Sequence, residues 1–283
     1  MIKLCQNNLD FKEEFKDYLT KYETEMQLFF RNLINDNETL NQNQIRGGVY
    51  LDNKLCLIFL NAYPFNVLLF EVTKDQNLIV ESIRELLSYI KTQNISFRGC
   101  QCNKRLSEIF FKEVKAKFNL DMEVVHSMDI MKLTNVLFTK TTGTIKLATM
   151  ENLEFIKKVY LQFSKEALNE HLSDEEINNT AINKIKSQGI YLYYNQENEV
   201  TSCVNVSKVL PNGYTLNLVY TDLSMRNKGY AKNMISLICQ ELLKSANYVT
   251  LFVDKQNPIS NRVYLDIGFN YLTENYDCRL ITK

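Results

Sequence analysis

The sequence has little glycine or proline, eight and three in 283 residues, and only two histidines. That scarcity excludes collagen-like and low-complexity chains, and makes each glycine or proline the marker of a particular backbone event. His126 and His171 stand far apart, with no cysteine or carboxylate at metal-ligand spacing, so no zinc centre is expected. Charge of one sign is missing too. Thirty-three Lys and Arg balance thirty-three Asp and Glu, and a net charge of zero gives no field to draw nucleic acid or an anionic membrane.

Long apolar runs are also lacking. Residues 55–60 end at Asn61 and residues 67–70 at Glu71, far short of the roughly 20 residues of a membrane span, and residues 1–10 lack a signal-peptide pattern. The seven cysteines, at 5, 56, 100, 102, 203, 239 and 278, include no CxxC and read as reduced apolar filler in a cytoplasmic protein. Cys100-Gln101-Cys102 reads the same way, as two thiols without further ligands. No Gly-Lys-Ser/Thr segment is present, which removes a Walker-type loop.

What remains is an ordinary globular composition, 45% hydrophobic and 23% charged, about two average domains long. In the first half, a capping pair at Asp10 and Glu13 with apolar residues at helical spacing predicts a helix over 10–34. Three runs at 48–51, 54–60 and 66–72 predict an antiparallel meander. Helices are expected over 77–92 and 105–118, and strands over 95–99 and 122–133. The most loop-like central stretch, 134–144, separates domains at 1–135 and 144–283.

The second half repeats this order. A strand at 145–148 precedes a helix over 151–167 and a second helix opened by the capping box Ser173-Asp174-Glu175-Glu176. Strands follow at 189–194, 200–208 and 214–221, then a helix after Arg226-Asn227-Lys228-Gly229, a strand at 248–253, a short helix at 258–266 and a last strand at 268–281. Arg226 to Ala231 is the segment that carries chemistry. Free amides at a helix start suit a phosphate, Gly229 lets it approach, and Arg226 and Lys228 add positive charge.

The strand ending Val219-Tyr220-Thr221, the turn Arg226-Asn227-Lys228-Gly229-Tyr230-Ala231, and the run Asn257, Asn261, Tyr264, Gly268-Phe269 together resemble the GNAT superfamily of N-acetyltransferases. The resemblance is specific over 214–269 and rests on element order alone over 1–133. It implies an α+β protein of two GNAT-like domains, each a mixed, mostly antiparallel sheet flanked by helices. It further implies acetyl-CoA as cosubstrate, transfer to an unidentified primary amine in a ternary complex, and no metal.

In such a fold Leu218, Val219 and Tyr220 would line the pantetheine and the Val219 amide would polarise the thioester. The amides of Arg226, Asn227, Lys228, Gly229, Tyr230 and Ala231 would hold the diphosphate. Asn257 and Asn261 would form the other wall, and Tyr264 would protonate the departing thiolate. Residues 214–221 contain no carboxylate, Glu199 and Asp222 are the nearest in sequence, and no general base is assigned. The first half, with Glu71 and Asp75 and no glycine at its matching junction, should not bind CoA. Two alternatives stay open: a non-catalytic acyl-CoA-binding or interaction module, and transfer from aminoacyl-tRNA, which the balanced charge disfavours. Oligomeric state is left open.

Overall fold

The computed structural model describes residues 1–36, 38–139, 141–168 and 172–281. The chain forms two compact units: residues Met1–Ile130 with Asp254–Gln256 and the segment beginning at Leu272, and residues Met131–Val253 with Asn257–Tyr271.

The first unit opens with a strand absent from the sequence expectation, β1 (Ile2–Leu4), which pairs antiparallel with β2. The stretch expected as one helix is three short ones, α1 (Asn8–Glu14), α2 (Lys16–Lys21) and α3 (Gln27–Asn32). Its cap is Asn7, whose side chain accepts from the Asp10 amide, rather than Asp10 itself. The meander forms as expected from β2 (Arg46–Leu51), β3 (Lys54–Asn61) and β4 (Val67–Glu71).

After α4 (Gln76–Thr92) comes β5 (Gly99–Cys102), parallel to β4, so the CxC segment is the strand and residues 95–98 lead into it. A helix α5 (Lys104–Phe118) and a strand β6 (Met122–Leu133) follow. Helices α4 and α5 cover one sheet face through Ile83, Leu86, Phe110 and Val114; α1 to α3 cover the other through Phe11, Phe15 and Phe29.

In the second unit β7 (Thr144–Leu147) precedes a 3-10 turn and α6 (Leu153–Phe163), which passes into a π-turn at Ser164–Leu168. The capping box at Ser173 and Glu176 opens α7 (Asp174–Lys186) as the sequence predicts. Strands β8 (Ile190–Tyr194), β9 (Val200–Ser207) and β10 (Gly213–Thr221) form an antiparallel array with β7. Helix α8 (Tyr230–Leu242) then crosses to β11 (Tyr248–Asp254), parallel to β10.

Helix α9 (Pro258–Ile267) precedes the last strand, β12 (Asn270–Leu280). The sequence places that strand with the second half. In the structure Tyr276 to Arg279 pair antiparallel with Cys102 to Gly99, so β12 completes the sheet of the first unit.

Each unit is therefore an α+β layer in which an antiparallel array runs into one parallel β-α-β crossover, β4-α4-β5 in the first and β10-α8-β11 in the second. No helix among the described residues is long and apolar enough to cross a membrane.

Candidate active site

The site is built on an irregularity in β10. Its register with β9 runs regularly to Asn217 opposite Asn205 and then slips, so that Tyr220 opposes Cys203 and both Leu218 and Val219 stand against one residue of β9. Leu218 takes φ +51°, the left-handed region that a branched side chain avoids. That conformation costs about 1–2 kcal/mol. Burying the Leu218 side chain, 5% exposed, returns about 1.5–3 kcal/mol, so burial holds the bulge.

On its other edge β10 pairs with β11 only from Gly213 opposite Tyr248 to Leu216 opposite Leu251, although both strands continue. Past Leu216 they part. The β11-facing edge of residues 217–221 offers main-chain donors and acceptors to any extended group that enters.

The turn after β10 aims a helix start at the same end of the strand. Asp222, 6% exposed, accepts from the Ser224 amide at 3.0 Å and its hydroxyl at 2.8 Å and pairs with Lys158 on α6, which fixes the 3-10 turn Leu223–Met225. Asn227 at φ +63° and Gly229 at φ +78° then reverse the chain into α8. No side chain among the described residues caps that helix. A Cβ placed on Gly229 would meet none of the described residues within 4 Å, so among them nothing fills the space before these amides, and glycine is set there by backbone angle rather than by packing.

Residues 226–229 are exposed, and a diphosphate fits this cradle: uncapped first-turn amides, the positive end of the α8 dipole, and the charges of Arg226 and Lys228. Tyr230 lies with its ring 5.8 Å from that of Tyr193.

Arg226 is held in place. Its Nε donates to the Thr221 carbonyl at 3.2 Å, its Nη2 to Glu166 Oε2 at 2.8 Å, and its guanidinium lies 4.9 Å from the centre of the Tyr220 ring. The Tyr220 hydroxyl donates to the other Glu166 oxygen at 2.8 Å. Burial works to raise the Glu166 pKa, but the hydrogen bonds from Arg226 and Tyr220 outweigh it and hold the carboxylate below its ordinary range.

Asn257 and Asn261 lie at the start of α9, with side chains engaged there. Asn257 Oδ1 caps the Ser260 amide at 3.0 Å, and Asn261 Nδ2 donates to the Asn257 carbonyl at 2.8 Å. Tyr264, 6% exposed, sits in the apolar cluster with Met234, Ile238 and Cys239, its ring edge-on to Phe269 at 5.7 Å. Burial, and secondly the neighbouring Cys239, push its phenol well above the ordinary tyrosine value.

The carboxylates nearest in sequence to this strand have structural duties. Asp222 resists the rise that burial imposes because Lys158 and Ser224 hold its charge, and its pKa lies below the ordinary value. Glu199 accepts from Asn195 Nδ2 at 2.8 Å and closes the β8–β9 turn. Glu166 is the acidic residue that sequence reasoning missed. It sits inside a segment read as the end of a helix, sixty positions from Arg226, and no local spacing announces the pair.

Cys100 and Cys102 are buried in the first unit, His171 lies outside the described residues, and so does Lys140 in the inter-domain stretch. No group of three or more metal-ligating side chains occurs among the described residues.

Residues 153–269 match the model of the acetyltransferase (GNAT) family. No curated protein matches the sequence. Solved structures resemble the chain over nearly its whole length. An acetyltransferase from the GNAT family of Colwellia psychrerythraea is 13% identical with TM-score 0.54, covering 100% of each chain. A Drosophila protein is 11% identical with TM-score 0.63, covering 99% of this chain and 98% of its own. A GCN5-related N-acetyltransferase from Sphaerobacter thermophilus is 10% identical with TM-score 0.57, covering 95% and 86%. At such identities the likeness is one of fold. The family match covers residues 153–269, less than half of the chain, and marks that segment as similar to the GNAT acetyltransferases, while the structural likeness shows that the chain shares the fold of these proteins.

Proposed function

We propose that the protein transfers an acetyl group from acetyl-CoA to a primary amine by direct attack in a ternary complex. The observation that carries this reading is the meeting of two features at one end of β10: the edge released where β11 leaves it after Leu216, and the uncapped start of α8 at Gly229. The first suits an extended pantetheine and the second a diphosphate. The Val219 amide, on the bulge, is the donor we assign to the thioester carbonyl. Tyr264 keeps its proton at neutral pH and is the candidate acid for the departing thiolate. No residue is assigned as base.

The first unit is the non-binding member of the pair. At its matching junction Asp75 accepts from the amides of Asn77 and Leu78 at 2.8 and 3.2 Å, so a built-in carboxylate fills the place an anion would need. Glu71 adds a second negative charge there, balanced by Lys74 and Arg105. We keep domains at 1–135 and 144–283 as the division of labour, with the difference that β12 pairs with β5 in the first unit. Seven unpaired buried thiols suit a reducing cytoplasm.

The deciding assay follows free CoA thiol with acetyl-CoA and a panel of amines. Thiol release above the hydrolysis background, dependent on one amine class, supports the enzyme. Binding of acetyl-CoA without turnover would support a non-catalytic acyl-CoA module instead.

A further inference from the structure

Glu166, Tyr220 and Arg226 join the π-turn after α6 to the loop before α8, and two of the three guanidinium nitrogens of Arg226 are used in the joint. Nε is spent on the Thr221 carbonyl and Nη2 on Glu166, the ring of Tyr220 backs the plane, and Nη1 has no partner among the described residues. The side chains of Arg226 and Glu166 are 39% and 41% exposed, and an ion pair so open to water adds little to stability. Its consequence is geometric. A guanidinium on a free stem samples many directions, whereas one held at Nε, Nη2 and its face presents a single edge.

Resting on the acetyl-CoA reading above, we infer that Glu166 is a positioning residue: braced by the Tyr220 hydroxyl, it fixes Arg226 so that the Nη1 edge is the donor kept for the diphosphate of the acyl donor. Glu166 itself touches no reacting atom.

Calorimetric titration of the full chain with acetyl-CoA tests the inference. Glu166→Asp keeps the charge but shortens the reach, so it cannot hold Arg226 and Tyr220 together, and the affinity is expected to fall three- to tenfold. Glu166→Gln keeps the reach, accepting from Arg226 and donating to the Tyr220 oxygen, and is expected to stay within twofold of the unaltered protein. In an Arg226→Gln background Glu166→Asp should cause no further loss. An unchanged affinity in Glu166→Asp, or an equal loss in the Arg226→Gln background, overturns the inference and leaves the transferase reading standing. Failure of the unaltered protein to bind acetyl-CoA overturns both.

Discussion

Leu216 and Leu218 lie two positions apart on one strand, yet their side chains enter opposite faces of the sheet. Leu216 belongs to the cluster of Met234, Ile235 and Tyr264 under α8 and α9, whereas Leu218 packs with Ile156, Val159 and Ala181 under α6 and α7. In a regular strand positions i and i+2 share a face. The bulge reverses that parity, turns Val219 toward the α8 side, and coincides with the point where β11 leaves.

This relationship gives a stability test with an unusual sign. Leu218→Ala loses a buried side chain and should cost about 2–5 kcal/mol in chemical denaturation. Glycine is ordinarily worse than alanine in a strand by about 0.5–1 kcal/mol. Because Leu218 sits at φ +51°, Leu218→Gly should instead be the more stable of the two variants. An alanine variant more stable than the glycine variant would contradict the strained bulge.

The Tyr264 phenol makes a prediction about pH. Its pKa is raised above the ordinary value of about 10, so it remains a proton donor through neutral and mildly alkaline pH. Turnover should therefore show no falling limb from this group below about pH 10. Tyr264→Phe should leave acetyl-CoA affinity within twofold and slow turnover about 10- to 100-fold, since a thiolate is already a fair leaving group. Equal turnover in the variant across the pH range would remove Tyr264 from the chemistry.

The cap on α4 separates the two units. Asp75→Ala should cost about 1 kcal/mol of stability, the usual worth of an N-cap carboxylate. The chain should still bind one acetyl-CoA, because Glu71 and the missing glycine are unaffected. A second bound equivalent would show that Asp75 alone closes the first unit to coenzyme.

The thiols offer a check on packing. All seven are buried, and burial is the leading cause that raises the pKa of Cys203, to about 12, and of Cys5, to about 11. A thiol reagent should react slowly with the native protein, first at Cys5, the most exposed at 8%, and with all seven after denaturation. Rapid reaction of several thiols in the native protein would contradict the core assignment.

Much of this architecture is legible in local sequence, because caps and periodicity act over a few residues. The Ser173 capping box, the meander from β2 to β4 and the span of β6 follow from it directly. What escapes is decided by distant partners. β1 is three residues long and exists through its pairing with β2; residues 95–98 carry strand-like side chains, but the pairing with β12 selects Gly99–Cys102. The motif around Gly229 points to the α8 start. Neither the bulge at Leu218 nor the reach of Glu166 to Arg226 has a sequence signature, since one depends on cross-strand register and the other on the packing of α6 beside β10.

Binding of acetyl-CoA to the unaltered protein and to Gly229→Glu, measured side by side by calorimetry, tests the central claim most directly. The substituted side chain enters open space, so beyond the roughly 1–2 kcal/mol of a left-handed backbone the fold should hold. Its bulk and negative charge stand where the diphosphate is assigned. The account predicts one binding site in the unaltered protein and at least a hundredfold loss in the folded variant; equal affinity in the two proteins, or no binding by the unaltered one, would contradict it.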